Sequence, residues 1–222
     1  MLSQVGGFLS PQSKMQIFPR SLNKLPLVAA VATGIIGAVL VGGIWFYATP
    51  KNFNVGYAPV QPVPYSHSLH AGQMGMDCRY CHANVESSAH AMVPSTQTCI
   101  GCHAVVKAES QRLEPVRESF KTGESVEWIR IHKLPDHAYF NHSAHVAVGV
   151  GCATCHGRVD KMEVVRQDKP LSMAWCLDCH RDPAPNLRPK DQVTNMEWDK
   201  SQSPGFTPPE VHPPQHCSGC HR

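Results

Sequence analysis

The hydrophobic pattern divides this chain at residue 48. From Leu25 to Ala48 the sequence is apolar with Thr33 as the one polar interruption, and at ~1.5 Å of rise per residue a helix of that length crosses about 30 Å of hydrocarbon. Residues 1–24 carry Lys14, Arg20 and Lys24 and no acidic residue. That asymmetry predicts a cytoplasmic N-terminal segment over 1–24, a single transmembrane anchor over 25–48 and an exported remainder over 49–222. Trp45, Phe46 and Tyr47 fall where an interfacial aromatic belt belongs. A cleaved signal peptide shares the basic-then-apolar layout, but its apolar region runs about 7–15 residues and ends in a small-x-small site. An uncleaved anchor is therefore expected, in the bacterial cytoplasmic membrane with the bulk of the chain periplasmic. Ala30, Gly34, Ala38 and Gly42 recur at every fourth position and share one face, a register that admits a second membrane helix. The general richness of membrane helices in Gly and Ala gives the same composition.

Short helices and long irregular loops are expected beyond Ala48, with almost no sheet. Aromatic residues make up 7% of the chain, too few for an ordinary core in the exported part. Within it, residues 65–103 and 141–180 repeat one another. Each unit opens on His-x-x-His, reaches Cys-x-x-Cys-His after 7 or 8 residues, and ends on a second Cys-x-x-Cys-His. A connector, 104–140, joins the repeats. The stretch 181–222 is rich in proline, which resists helix and sheet; it is expected to wrap as a strap and position a last motif.

The cysteines supply the chemistry. Cys-x-x-Cys-His occurs five times, at Cys78/Cys81/His82, Cys99/Cys102/His103, Cys152/Cys155/His156, Cys176/Cys179/His180 and Cys217/Cys220/His221, and consumes all ten cysteines. Each motif is the attachment site of a c-type haem, with two thioethers to the vinyl groups and the imidazole on iron. Zinc ribbons need two cysteine pairs per metal and no histidine after each; a thiol oxidoreductase needs one pair. Five covalently bound haems c are expected, held in a mostly irregular multihaem cytochrome c domain with short α-helices and stacked haems. The porphyrins replace the missing apolar volume, and folding is coupled to their insertion. Their propionates turn the formal charge of +3 into about −7, which leaves no case for nucleic acid.

Five of the fourteen histidines are thus proximal ligands: His82, His103, His156, His180 and His221. In His67-x-x-His70 and His142-x-x-His145 the paired side chains share a helix face, and these four are expected as distal ligands. His132 is the first choice for the fifth distal position, with His90, His137 and His212 and the thioethers of Met74, Met76, Met92 and Met173 as further candidates. Such a surplus of ligands argues for closed, six-coordinate haems that pass electrons rather than bind a substrate. The chain alone is not expected to be catalytic.

The segments HAGQMGMDCRYCH (70–82), PSTQTCIGCH (94–103), LPDHAYFNHSAHVAVGVGCATCHGRVDKMEVV (134–165) and LSMAWCLDCH (171–180) resemble the pentahaem cytochrome c subunit of bacterial alternative complex III. The resemblance implies a membrane quinol:electron-acceptor oxidoreductase. Its partners would be a quinol-oxidising integral membrane subunit, an iron–sulfur subunit, and a monohaem cytochrome or soluble periplasmic carrier leading to an oxidase or a photosynthetic reaction centre. One rival is an independent membrane-anchored multihaem quinol dehydrogenase, in which the first haem follows the anchor closely; here 29 residues separate Ala48 from Cys78. The other is a periplasmic multihaem reductase, which needs an exchangeable haem ligand.

Overall fold

The computed structural model describes residues 18–49 and 54–222; residues 1–17, Lys14 among them, and 50–53 lie outside the described residues. Two units result, Met1–Thr49 and Pro50–Arg222.

In the first unit a 3₁₀ turn, Arg20–Lys24, leads into helix α1, Leu25–Ala48. Pro26 sits in its first turn, where the missing N–H has no helical acceptor in any case. The helix ends at Thr49, whose extended backbone breaks the ladder while its hydroxyl donates to the Phe46 carbonyl at 3.1 Å. Its side chains are exposed throughout its length, apart from a few of intermediate exposure. Length and composition suffice to cross a membrane, and they fit a transmembrane anchor or a signal sequence alike.

The second unit is a set of short helices: α2 (Cys78–Cys81), α3 (Thr96–His103), α4 (Glu114–Thr122), α5 (His142–Ala147), α6 (Cys152–His156), α7 (Met173–Arg181) and α8 (Cys217–Cys220). No strand forms among the described residues, only the bridges Val150 to Leu187 and Ala138 to His221. Each Cys-x-x-Cys occupies about one helical turn, so its two thiols face the same way. Side-chain caps start three of these elements. Asp77 accepts from the Arg79 amide at 2.8 Å, Asn141 from Ser143 at 3.0 Å and Ser172 from Trp175 at 3.3 Å.

The two repeats differ by one residue between the second histidine and the first cysteine, and the structure shows where it goes. Ser68–Gln73 forms a π-helical turn, with the Met74 amide on the Leu69 carbonyl at 2.9 Å. The matching segment of the second repeat is the α-helical α5. A π turn holds one extra residue without changing what precedes or follows it. Both repeats then pass through a glycine in the left-handed region three residues before the first cysteine, Gly75 at φ 66° and Gly149 at φ 95°.

The repeats dock on each other reciprocally. The Ser68 amide donates to the Met162 carbonyl at 3.0 Å, and Ser143, its repeat equivalent, donates to Ser88 at 3.1 Å. Each His-x-x-His turn thus rests on the loop between the two motifs of the other repeat. Gly72 lies so close to the Asp160 carbonyl that a Cβ there has no room.

The strap closes this arrangement. Arg188 donates its amide to Gly149 at 2.9 Å, and Val193 accepts from Cys152 at 3.0 Å. Thr194 donates to Asp77 at 3.0 Å, and Glu197 pairs with Arg158 at 2.8 Å. Leu187 and Val193 join Val63, Val116 and Met162 as the buried apolar residues among those described. That is a small protein core, and large apolar side chains beside the motifs stay open instead, including Tyr80, Met92, Val105 and Val106.

Candidate haem sites

The four histidines of the His-x-x-His turns lie beside the proximal histidines in strict order. His70 faces His103 at 6.2 Å between ring centroids, His142 faces His156 at 6.4 Å and His145 faces His180 at 6.0 Å. His67 lies near enough to His82 to feel its charge. The first histidine of each turn therefore lies beside the first motif and the second histidine beside the second motif. Metal–imidazole bonds of about 2 Å, taken back to back with the ring radii, put the centroids of a trans pair roughly 6 Å apart. The residues fit a haem between each of the three measured pairs. All eight imidazoles are half-buried, whereas His90, His137, His212 and His216 are exposed.

An aromatic ring wedges each turn. Tyr65 lies 4.8 Å from His67, edge on, and 4.4 Å from His70, stacked. Phe140 repeats this at 4.7 Å from His142 and 4.4 Å from His145. These two residues were legible as part of the repeat, two positions before its first histidine, but were not read as site residues.

The Nδ1 atom of most of these imidazoles is held by a backbone carbonyl. Nδ1 of His70 meets the Ser66 carbonyl at 2.8 Å and Nδ1 of His145 meets Asn141 at 2.7 Å, one helical turn back in both repeats. His142 is held by Ala89 at 2.8 Å, His82 by Met92 at 2.6 Å, His103 by Val106 at 2.8 Å, His180 by Pro214 at 2.7 Å and His221 by His137 at 3.1 Å. Such contacts fix the proton on Nδ1 and leave Nε2 for a metal. Met92 adopts a left-handed φ of 64° where it presents that carbonyl, a strained backbone for a non-glycine residue. His67 alone of the eight keeps a buried Nδ1 without a hydrogen-bond partner.

Burial, then the neighbouring His82 and His70, lowers the pKa of His67 to about 4. His156 falls to about 3, through burial first and then His132, His142, His82 and His67. The first motifs of the two repeats thus lie against each other. Their leading cysteines lie close together: the proximity of Cys152 lowers the pKa of the Cys78 thiol, and that of Cys78, with burial, raises the Cys152 thiol. Cys155 rises to about 11 through burial. None of the ten cysteines pairs in a disulfide, and among the described residues no His, Cys, Asp and Glu group forms a compact site for a bare metal ion.

His132 stands apart from this order. Its Nε2 is 3.4 Å from Nδ1 of His156 and the rings are 4.5 Å apart at 82°. The ring contact at His221 comes instead from His137, stacked at 5.4 Å. The His137 carbonyl also accepts from Nδ1 of His221 at 3.1 Å. Met74, Met92 and Met173 are largely exposed, and Met92 acts through its carbonyl.

Cysteine pairs on single helical turns, imidazoles opposed at a spacing fit for iron and a protein core too small for its chain define a multihaem cytochrome c domain. Residues 138–222, which hold the last three motifs, match the family model for cytochrome c7 and related cytochrome c. The chain is also similar to the multihaem cytochrome c subunit of menaquinone reductase from Nitratidesulfovibrio vulgaris, with 36% identity over 97 residues. That alignment covers 43% of this chain and 45% of the relative, so it spans less than half the length of either.

Proposed function

We propose that this chain is the electron-transfer subunit of a membrane quinol-oxidising complex of the alternative complex III type. The observation that carries the reading is the pairing of imidazoles across the repeats, at 6.0–6.4 Å where both rings are in contact range. Imidazole on both faces closes an iron to substrates and suits it to electron passage. When bound, haem iron supplies one-electron exchange between its ferrous and ferric states.

In this reading the chain's own residues hold and orient. Cys78, Cys81, Cys99, Cys102, Cys152, Cys155, Cys176, Cys179, Cys217 and Cys220 anchor five haems. His82, His103, His156 and His180 ligate opposite His67, His70, His142 and His145, and His221 takes the fifth iron. The carbonyls on Nδ1 hold the ligand planes, and Tyr65 and Phe140 keep each pair apart. Reciprocal docking brings the first sites of both repeats together, so electrons cross between repeats at the centre. α1 anchors the unit beside an integral quinone-binding subunit and an iron–sulfur subunit, and a periplasmic cytochrome takes the electrons. The relative's name, menaquinone reductase, supports a link to the quinone pool and favours a second reading with flow toward menaquinone. The direction follows from the partners' potentials rather than from this chain.

Purification in mild detergent tests the proposal. Five haems per chain by pyridine haemochrome, with copurifying integral and iron–sulfur subunits and haem reduction by a menaquinol analogue only in the complex, are expected. Reduction of the isolated chain by that analogue would instead establish an independent quinol dehydrogenase. Haem oxidation by a menaquinone analogue, with no reduction by menaquinol, would establish the reverse flow.

A further inference from the structure

Four of the five proximal histidines are held at Nδ1 by backbone carbonyls, at 2.6 Å (Met92), 2.8 Å (Val106), 2.7 Å (Pro214) and 3.1 Å (His137). The fifth, His156, meets a side chain, with Nε2 of His132 at 3.4 Å. The approach is not adventitious in its scaffold. Three residues earlier the connector is clasped at Ile129, whose carbonyl accepts from Gln61 Nε2 at 2.9 Å and whose amide donates to Gln61 Oε1 at 2.9 Å. Arg130 then bonds the His132 carbonyl at 3.3 Å. The imidazole so placed is half-buried and nearly perpendicular to the His156 ring, while the His142 ring lies 6.4 Å from His156 with its plane turned by 8°.

We propose that His132 is a positioning residue for the third motif: its Nε2 accepts the Nδ1 proton of His156, fixes the plane of that ring and sets how much electron density the ring passes to iron. The proposal rests on the reading of His156 as a haem ligand. With Nε2 of His156 on a metal, Nδ1 must carry the proton and donate. His132 is then the tautomer with a lone pair on Nε2, and that lone pair is not available to a second iron.

A strong acceptor on Nδ1 makes a ligating imidazole more anionic and favours the ferric state; a weak one does the reverse. At 3.4 Å the His132 contact is longer than any of the four carbonyl contacts. It therefore leaves the third site more easily reduced, by this effect, than its four counterparts. Since it belongs to a side chain, it is also the one proximal hydrogen bond that substitution can remove.

The test is a spectroelectrochemical titration of the full holoprotein, with electron paramagnetic resonance of the oxidised state, for wild type, His132→Leu and His132→Gln. His132→Leu is expected to move one redox component to higher potential and shift one low-spin signal, with haem content unchanged. Restoration of an acceptor in His132→Gln is expected to bring that component back toward wild type. If His132→Leu matures poorly, His132→Ala, which also removes the acceptor, reports the same component. Unchanged components in all variants overturn the proposal. So does conversion of one haem to high spin in His132→Leu, which would make His132 an axial ligand, as the sequence led us to expect for the fifth haem. A His156→Ala control separates the two levels: if it keeps every haem low-spin, the ligand reading of His156 fails, whatever His132 does.

Discussion

An imidazole that meets iron through Nε2 has only Nδ1 and its ring faces by which to be held. In both repeats an aromatic side chain supplies the face contact, Tyr65 against His67 and His70 and Phe140 against His142 and His145. Phe140 performs this without a hydroxyl. Tyr65→Phe is accordingly expected to change thermal stability by less than about 0.5 kcal/mol, whereas Tyr65→Ala should cost about 2 kcal/mol through lost ring packing; a melt of the holoprotein distinguishes them. Asp77 offers a second residue-scale test. It caps α2, and its hydrogen bond from Arg79 lowers its pKa from 3.8 to about 2. A lowered carboxyl pKa stabilises the fold above the unfolded value and loses its effect as pH falls through the folded one. Asp77→Ala should thus cost about 1 kcal/mol at neutral pH, and wild type and variant should converge below pH 2 in denaturant titrations.

At the scale of elements, the sequence carried the His-x-x-His turns, the helical cysteine pairs and the near absence of sheet, because each depends on spacing a few residues apart. It also displayed the extra residue before Cys78, which the chain resolves as the π turn Ser68–Gln73. It could not display the Nδ1 anchors, since backbone carbonyls such as those of Met92, Val106 and Ala89 have no side-chain signature. Nor was the place of His132 legible. That depends on the Gln61 clasp at Ile129, 68 residues away along the chain. The docking of turn on loop was equally hidden, being backbone to backbone at Ser68 and Ser143. Gly72 is its sensitive point. Gly72→Ala places a methyl against the Asp160 carbonyl and should destabilise the unit by about 1–3 kcal/mol. Exposed Gly101, with open space at its Cβ, provides the comparison: Gly101→Ala should do no such damage in the same denaturation experiment.

For the whole molecule, the reciprocal docking of the two repeats brings the first motif of each together. The strap adds Leu187 and Val193 to a slight core and ties Arg188, Thr194 and Glu197 to both repeats. A fold with so few buried apolar residues depends on what the cysteines carry, so the chain without haem should lack cooperative unfolding by circular dichroism. The anchor makes its own prediction. Gly34 has open space at its Cβ, so Gly34→Leu should leave α1 intact and weaken copurification of an integral partner; unchanged assembly would count against helix packing on that face. The central claim is that the repeats form a closed electron wire, and its most direct test is electron paramagnetic resonance and near-infrared spectroscopy of the oxidised holoprotein with and without excess cyanide. The proposed function predicts four bis-imidazole low-spin haems per chain that ignore cyanide, with at most one haem responding. Two or more haems that are high-spin or take up cyanide would contradict it.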